Sequence, residues 1–163
     1  MIMSYGQDDR VCAYTSLAAM LGTDAELEKT ACCLLVDKEE IGSVGATGMQ
    51  SKFFENVVAE LISLEGDYND LKLRRCLANS KMLSSDVNAG YDPLFADAFE
   101  KKNASFCGRG VVFSKFTGSR GKSGSNDANA EYIAKLRKIM DDNNVHYQMA
   151  ELGKVDVGGG GTI

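Results

Sequence analysis

The sequence is poor in several features that would each have pointed to a function class. It contains a single proline in 163 residues, which leaves no room for a proline-rich linker. Its five cysteines, Cys12, Cys32, Cys33, Cys76 and Cys107, are odd in number and show no paired CxxC spacing. Neither a disulfide framework nor a structural zinc knuckle is suggested, and a reducing compartment fits best. No apolar run approaches the ~20 residues that a membrane span needs, and Met1-Ile2-Met3-Ser4 lacks a basic stretch followed by an apolar one. Basic residues are outnumbered, 18 to 23, for a net charge of -5, the wrong sign for a chain whose main work is gripping phosphate backbones. These absences describe a soluble, cytoplasmic protein with neither nucleic acid nor membrane as partner.

What is present is ordinary globular material, with 44% hydrophobic and 25% charged residues. A domain of this length buries roughly two-thirds of its unfolded surface, so one core is the expectation. Val11, Tyr14, Leu17, Ala18 and Leu21 recur at helical spacing behind Asp8-Asp9 and end at Gly22. This predicts a helix with the acidic pair at its N-terminal cap. The short apolar run from Ala31 to Val36 suits a strand buried on both faces of a parallel sheet. Phe53, Phe54, Val57, Val58, Leu61 and Ile62 mark a second helix, and residues 67–78 a third. Strands are expected over 81–87, 110–116 and 146–152, with a helix over 127–142 that carries Ile133, Leu136, Ile139 and Met140 on one face. Alternating strands and helices predict an α/β fold in three layers, a largely parallel sheet between helices. A helix that starts almost at once and a chain that stops within Gly158-Gly159-Gly160-Gly161 lead us to expect an incomplete domain at both ends.

In open α/β sheets the functional groups gather in loops at the carboxyl ends of the strands. Three such places carry carboxylates: Asp8-Asp9, the loop Asp37-Lys38-Glu39-Glu40-Ile41-Gly42-Ser43, and Asp86-Val87-Asn88. If they converge, they make a nest of hard oxygen ligands, which either holds a cation or takes up protons. Two divalent ions bridged by one Asp could activate a water, with an adjacent Glu taking its proton and passing it to a leaving amine. Each element also has a plain reading: Glu39-Glu40 as a solvated surface pair, Asp86 as the cap of a turn, and Asp8-Asp9 as a helix cap.

Five strings occur in register along the chain: Asp8-Asp9-Arg10-Val11-Cys12-Ala13-Tyr14, Asp37 to Ser43, Ser85-Asp86-Val87-Asn88, Gly118-Ser119-Arg120-Gly121, and Gly153-Lys154-Val155-Asp156. In this order they resemble the zinc metallo-aminopeptidases of the aspartyl aminopeptidase and aminopeptidase I family, over nearly the whole chain. The resemblance implies that residues 1–163 are part of a catalytic peptidase domain, without the family's separate oligomerisation domain. It implies removal of N-terminal residues from peptides through a water activated by two divalent metal ions, zinc first, with manganese or cobalt as alternatives. Asp8 would bridge both metals, and the Asp8-Asp9 bond would be a candidate cis peptide. Glu39 would be the general base, Glu40 a ligand of one metal and Asp86 of the other. Lys115 and Gly159, Gly160 and Gly161 would line the substrate cleft, their plain reading being an exposed cation and a simple turn. Homo-oligomers are implied for the full-length protein. Acidic N-terminal residues are preferred in one branch of the family and neutral ones in another.

The chain departs from the family in its histidines. Each zinc in such enzymes also takes an imidazole, one from before the bridging Asp and one from beyond the glycine-rich turn, whereas His146 is expected at the start of a strand, away from either position. A site of carboxylates alone binds zinc weakly and accepts harder cations, so this chain by itself is expected to be inactive or nearly so. The alternative is a non-catalytic or complementing subunit of such a particle. A nucleotide-binding reading of Gly118 to Ser123 fails on spacing, because the phosphate-binding loop needs its first glycine where Phe116 stands.

Overall fold

The computed structural model describes residues 2–119, 123–151, 153 and 154. They fall into two compact units, one ending at Asp86 and the other starting at Val87.

The first unit carries three helices, α1 (Gln7–Leu21), α2 (Phe53–Leu64) and α3 (Asp70–Asn79). Helix α1 departs from its expected start. Its preceding residue, Gly6, is left-handed at φ 68° with no side-chain cap, and Asp8 and Asp9 have non-helical backbones (φ -85°, ψ 108° and φ -116°, ψ 26°). The acidic pair therefore kinks the chain ahead of the regular helix, which ends where Gly22 N–H donates to the Ala18 carbonyl at 2.9 Å. Helix α3 starts at Asp70, later than expected. The Asn69 side chain accepts from Lys72 N at 3.0 Å and caps the helix, while Asp67 stands outside with a left-handed backbone and pairs with the Lys72 ammonium at 2.9 Å. Leu73 on α3 is buried.

Two expected strands are absent. Residues 31–36 and 81–87 form no ladder among the described residues, and Leu35 is 59% exposed. An apolar run becomes a strand only where a neighbouring strand pairs with its N–H and C=O groups, and among the described residues no strand is laddered with either segment.

The second unit holds four strands among the described residues: β1 (Val111–Ser114), β2 (Phe116–Ser119), β3 (Ser123–Asp127) and β4 (Tyr147–Ala150). Strands β1 and β4 pair in parallel with Val111 opposite Tyr147 and Ser114 opposite Ala150. Helix α4 (Ala130–Asp142) is capped by Asn129, which accepts from Tyr132 N at 2.8 Å, and tied to β4 by Arg137 Nε donating to the Tyr147 hydroxyl at 3.1 Å. Its late start has a cause: Asp127, expected in the helix, is paired in β3 opposite Phe116. Strands β2 and β3 are antiparallel, so the glycine-bearing segment between them does not lead from a strand into a helix, as a phosphate-binding loop must; residues 120–122 lie outside the described residues. Ala104, Ser105 and Ala150 are buried, and Tyr91 sits between Phe99 and Phe106 with ring centroids 5.7 and 5.5 Å away. Among the described residues no helix is long and apolar enough to cross a membrane.

Candidate metal centre

The carboxylates of Asp8, Asp9 and Asp86 come together in the first unit, each offering an oxygen within 4.8 Å of the others. The kink in the first turn of α1 holds Asp8 and Asp9 out of the helical conformation, and the peptide bond between them is cis. Asp86 follows an irregular segment and is partly buried.

Glu39 stands close enough to respond to this group. Partial burial first, then the negative charges of Asp86, Glu40, Asp8 and Asp9, push its carboxyl above the ordinary glutamate range. It opens a short 3₁₀ turn, Glu39–Ile41, flanked by left-handed residues on both sides, Lys38 at φ 70° and Gly42 at φ 88°. Glu40 follows in the same turn, outside the group of three that shares the 4.8 Å limit.

One residue at the site was expected only as half of an acidic pair, and another was not singled out from the sequence. Asp9 joins Asp8 and Asp86 in the group, although the resemblance favoured Asp8 alone of the pair. Cys12 touches both Asp9 and Ser85, and its thiol is pushed up to about 11, by burial first and by the hydrogen bond to Asp9 second. Helical spacing gave no signal for it, because Asp9 lies in the non-helical kink ahead of the regular helix.

The remaining expected site residues belong to the second unit or lie outside the description. Lys115 stands between β1 and β2 and forms an ion pair with Asp127, so it is not an isolated cation. Gly159, Gly160 and Gly161 lie outside the described residues. The His146 carbonyl accepts from Val111 N at 3.1 Å just before β4, and among the described residues no group of three potential ligands includes its ring.

The donor set suits a divalent cation. Three carboxylates held this close repel one another when ionised, and the charge of a bound ion offsets that repulsion; oxygen donors serve zinc, manganese or magnesium, though zinc also favours nitrogen and sulfur.

Comparison with known proteins identifies the family. The profile of the family described as "Aminopeptidase I zinc metalloprotease (M18)" matches residues 1–163. The chain belongs to the M18 aminopeptidase family. A relative in Clostridium acetobutylicum, named "Probable M18 family aminopeptidase 1", is 63% identical over 163 residues, covering 100% of this chain and 35% of the relative. The M18 relative in Thermotoga maritima is 43% identical over 164 residues, covering 100% and 36%. The crystal structure of aminopeptidase I from Clostridium acetobutylicum superposes with a TM-score of 0.84 at 61% identity, over 98% of this chain and 34% of that one. The M18 aminopeptidase structure from Thermotoga maritima gives 0.88 at 42% identity, over 98% and 35%. The α/β fold is therefore that of the M18 peptidases, and this chain spans about a third of the length of the relatives it matches.

Proposed function

We propose that this chain carries the carboxylate side of the metal centre of an M18 aminopeptidase, which removes N-terminal residues from peptides. The observation that carries the reading is the convergence of Asp8, Asp9 and Asp86 beside Glu39. Asp8, Asp86 and Glu40 would hold two divalent ions, zinc first, with Asp8 shared between them. Bound there, the metal supplies Lewis-acid polarisation of the first peptide carbonyl and acidifies a water.

Glu39 has the character its role requires. A general base works best with a pKa nearer to neutrality than a solvated carboxylate has, and burial and neighbouring charge move Glu39 in that direction. It takes a proton on a carboxylate oxygen and returns it to the leaving amine as the peptide bond breaks. Lys115 and the glycines at 159–161 are assigned to the substrate cleft on the family resemblance, as is homo-oligomerisation of the full-length protein.

With carboxylates as its protein ligands, the chain alone should bind zinc weakly and turn over little peptide. The test is calorimetric titration of the chelator-treated chain with zinc and with manganese, beside Asp8→Ala. Binding that vanishes in the variant supports the centre; equal binding by both, or none by either, removes it.

One observation favours a second reading, in which the chain is a complementing subunit. The helices of the first unit bury little: Leu21 on α1 is 75% exposed and Phe53 on α2 is 64% exposed, apolar surface that a further polypeptide could cover. Mixing the chain with a polypeptide that supplies the rest of an M18 domain should then produce peptidase activity that neither part has alone.

A further inference from the structure

The turn that carries Glu39 and Glu40 is held by a loop that folds back on itself, and the contacts are specific. Lys38 is fixed at its own start: Asp37 accepts from Lys38 N at 2.8 Å and pairs with the Lys38 ammonium at 2.8 Å. The Lys38 carbonyl then accepts from Ile41 N at 3.3 Å and Ser43 N at 2.7 Å, and the Glu39 carbonyl from Gly42 N at 2.8 Å. Beyond the turn, residues 48–50 return to close it. Gln50 N donates to the Ser43 carbonyl at 3.1 Å, and the Gln50 side-chain amide donates to the Gly42 carbonyl at 2.6 Å. Between them the backbone of Gly48 lies against Ser43. A Cβ built at Gly48 would fall 2.2 Å from the Ser43 carbonyl oxygen and 2.7 Å from that of Val44, so only glycine allows this approach. Ser43 is 1% exposed although the loop around it is open to solvent.

From this geometry we infer that Gly48 and Gln50 are positioning residues, a brace that fixes the Glu39–Glu40 turn against the Asp8, Asp9 and Asp86 carboxylates. Two left-handed residues in succession, Gly42 at φ 88° and Ser43 at φ 58°, give the turn a shape that a free loop would not keep, and the Gln50 amide bonds the carbonyl between them. The inference rests on the metal reading of the carboxylate group, and it adds residues that have no ligand atom in that group and no part in proton transfer.

The test measures manganese affinity of the chelator-treated chain by calorimetry, together with amide hydrogen exchange at Ile41, Gly42 and Ser43. Gln50→Ala should weaken manganese binding roughly fivefold, the factor that loss of one ordinary hydrogen bond corresponds to, and should speed exchange at those three amides while leaving α2 and α3 unchanged. Gly48→Ala should do both more strongly. In a chain already carrying Glu39→Gln and Glu40→Gln, adding Gln50→Ala should change affinity no further, because the carboxylates it positions are gone. A Gln50→Ala loss of equal size in that background means the effect does not pass through the pair and overturns the inference, as does unaltered affinity in Gln50→Ala. Absence of manganese binding by the unaltered chain instead sinks the metal reading, and the brace then stands or falls on the exchange rates, where unchanged protection at Ile41 to Ser43 overturns it.

Discussion

Asp8 and Asp86, at opposite ends of the first unit's sequence, bring carboxylate oxygens within 4.8 Å of each other and of Asp9. Like charges at that separation repel one another when ionised, and a bound cation would offset that repulsion. Asp86→Asn keeps the shape and removes the charge. We expect it to weaken manganese or zinc binding by at least about a hundredfold, beyond the roughly 10–100-fold that losing an outer hydrogen-bond partner of a metal ligand costs. His146→Gln, measured in the same titration, should stay within about twofold of the unaltered chain, since no group of three potential ligands among the described residues includes it.

Much of this was legible from residue pattern. The four long helices fall where apolar spacing put them, because that spacing is a local property of the sequence. Residues 31–36 and 81–87 were misread for a nonlocal reason: their composition suits a strand, but a strand also needs a partner, and sequence does not say where the partner is. The β2–β3 pair was missed because Phe116–Ser119 and Ser123–Asp127 are rich in glycine, serine and acidic or amide side chains, which are depleted in strands. At the site, Asp8-Asp9 was legible as a carboxylate pair and Glu39 and Asp86 through the family motif, whereas Cys12 enters through its contacts with Asp9 and Ser85, which no periodicity encodes. The brace from Gly48 and Gln50 was equally hidden, being a matter of backbone approach.

Gly110 offers a direct check on the parallel pair in the second unit. It sits at φ 95° immediately before β1, and a Cβ there would lie 2.1 Å from the His146 carbonyl oxygen, which receives Val111 N. Gly110→Ala combines a strained backbone with a backbone clash, and we expect a loss of at least about 2 kcal/mol. Urea unfolding monitored in the second unit should show it, with faster exchange of the Val111 amide.

Gln148 makes a different kind of contribution to the same unit. Its side-chain amide accepts from Phe106 N at 2.9 Å and donates to the Phe106 carbonyl at 3.0 Å, taking the place of a strand partner for one residue of a loop. Gln148→Ala leaves both backbone groups without that partner and should cost about 1–3 kcal/mol. Gln148→Glu keeps the acceptor but sets a carboxylate oxygen against the Phe106 and Gly110 carbonyls that the amide now donates to, so at neutral pH it should gain no stability over Gln148→Ala in urea midpoint, and the ordering of the three proteins is the result to look for.

Lys115 separates a structural role from a substrate role. Its ammonium pairs with Asp127 at the end of β3, and an ion pair this exposed contributes no more than about 1 kcal/mol. Lys115→Met should therefore shift the urea midpoint only slightly and leave manganese affinity unchanged. If Lys115 also lies along the peptide cleft, the same substitution made in a full-length M18 enzyme should raise KM for peptide substrates. Asp127→Asn distinguishes the two roles, because it removes the ion pair while leaving the cation in place: a lysine that serves only the ion pair gives matching stability changes in the two variants and no change in KM, whereas one that meets substrate raises KM in Lys115→Met alone.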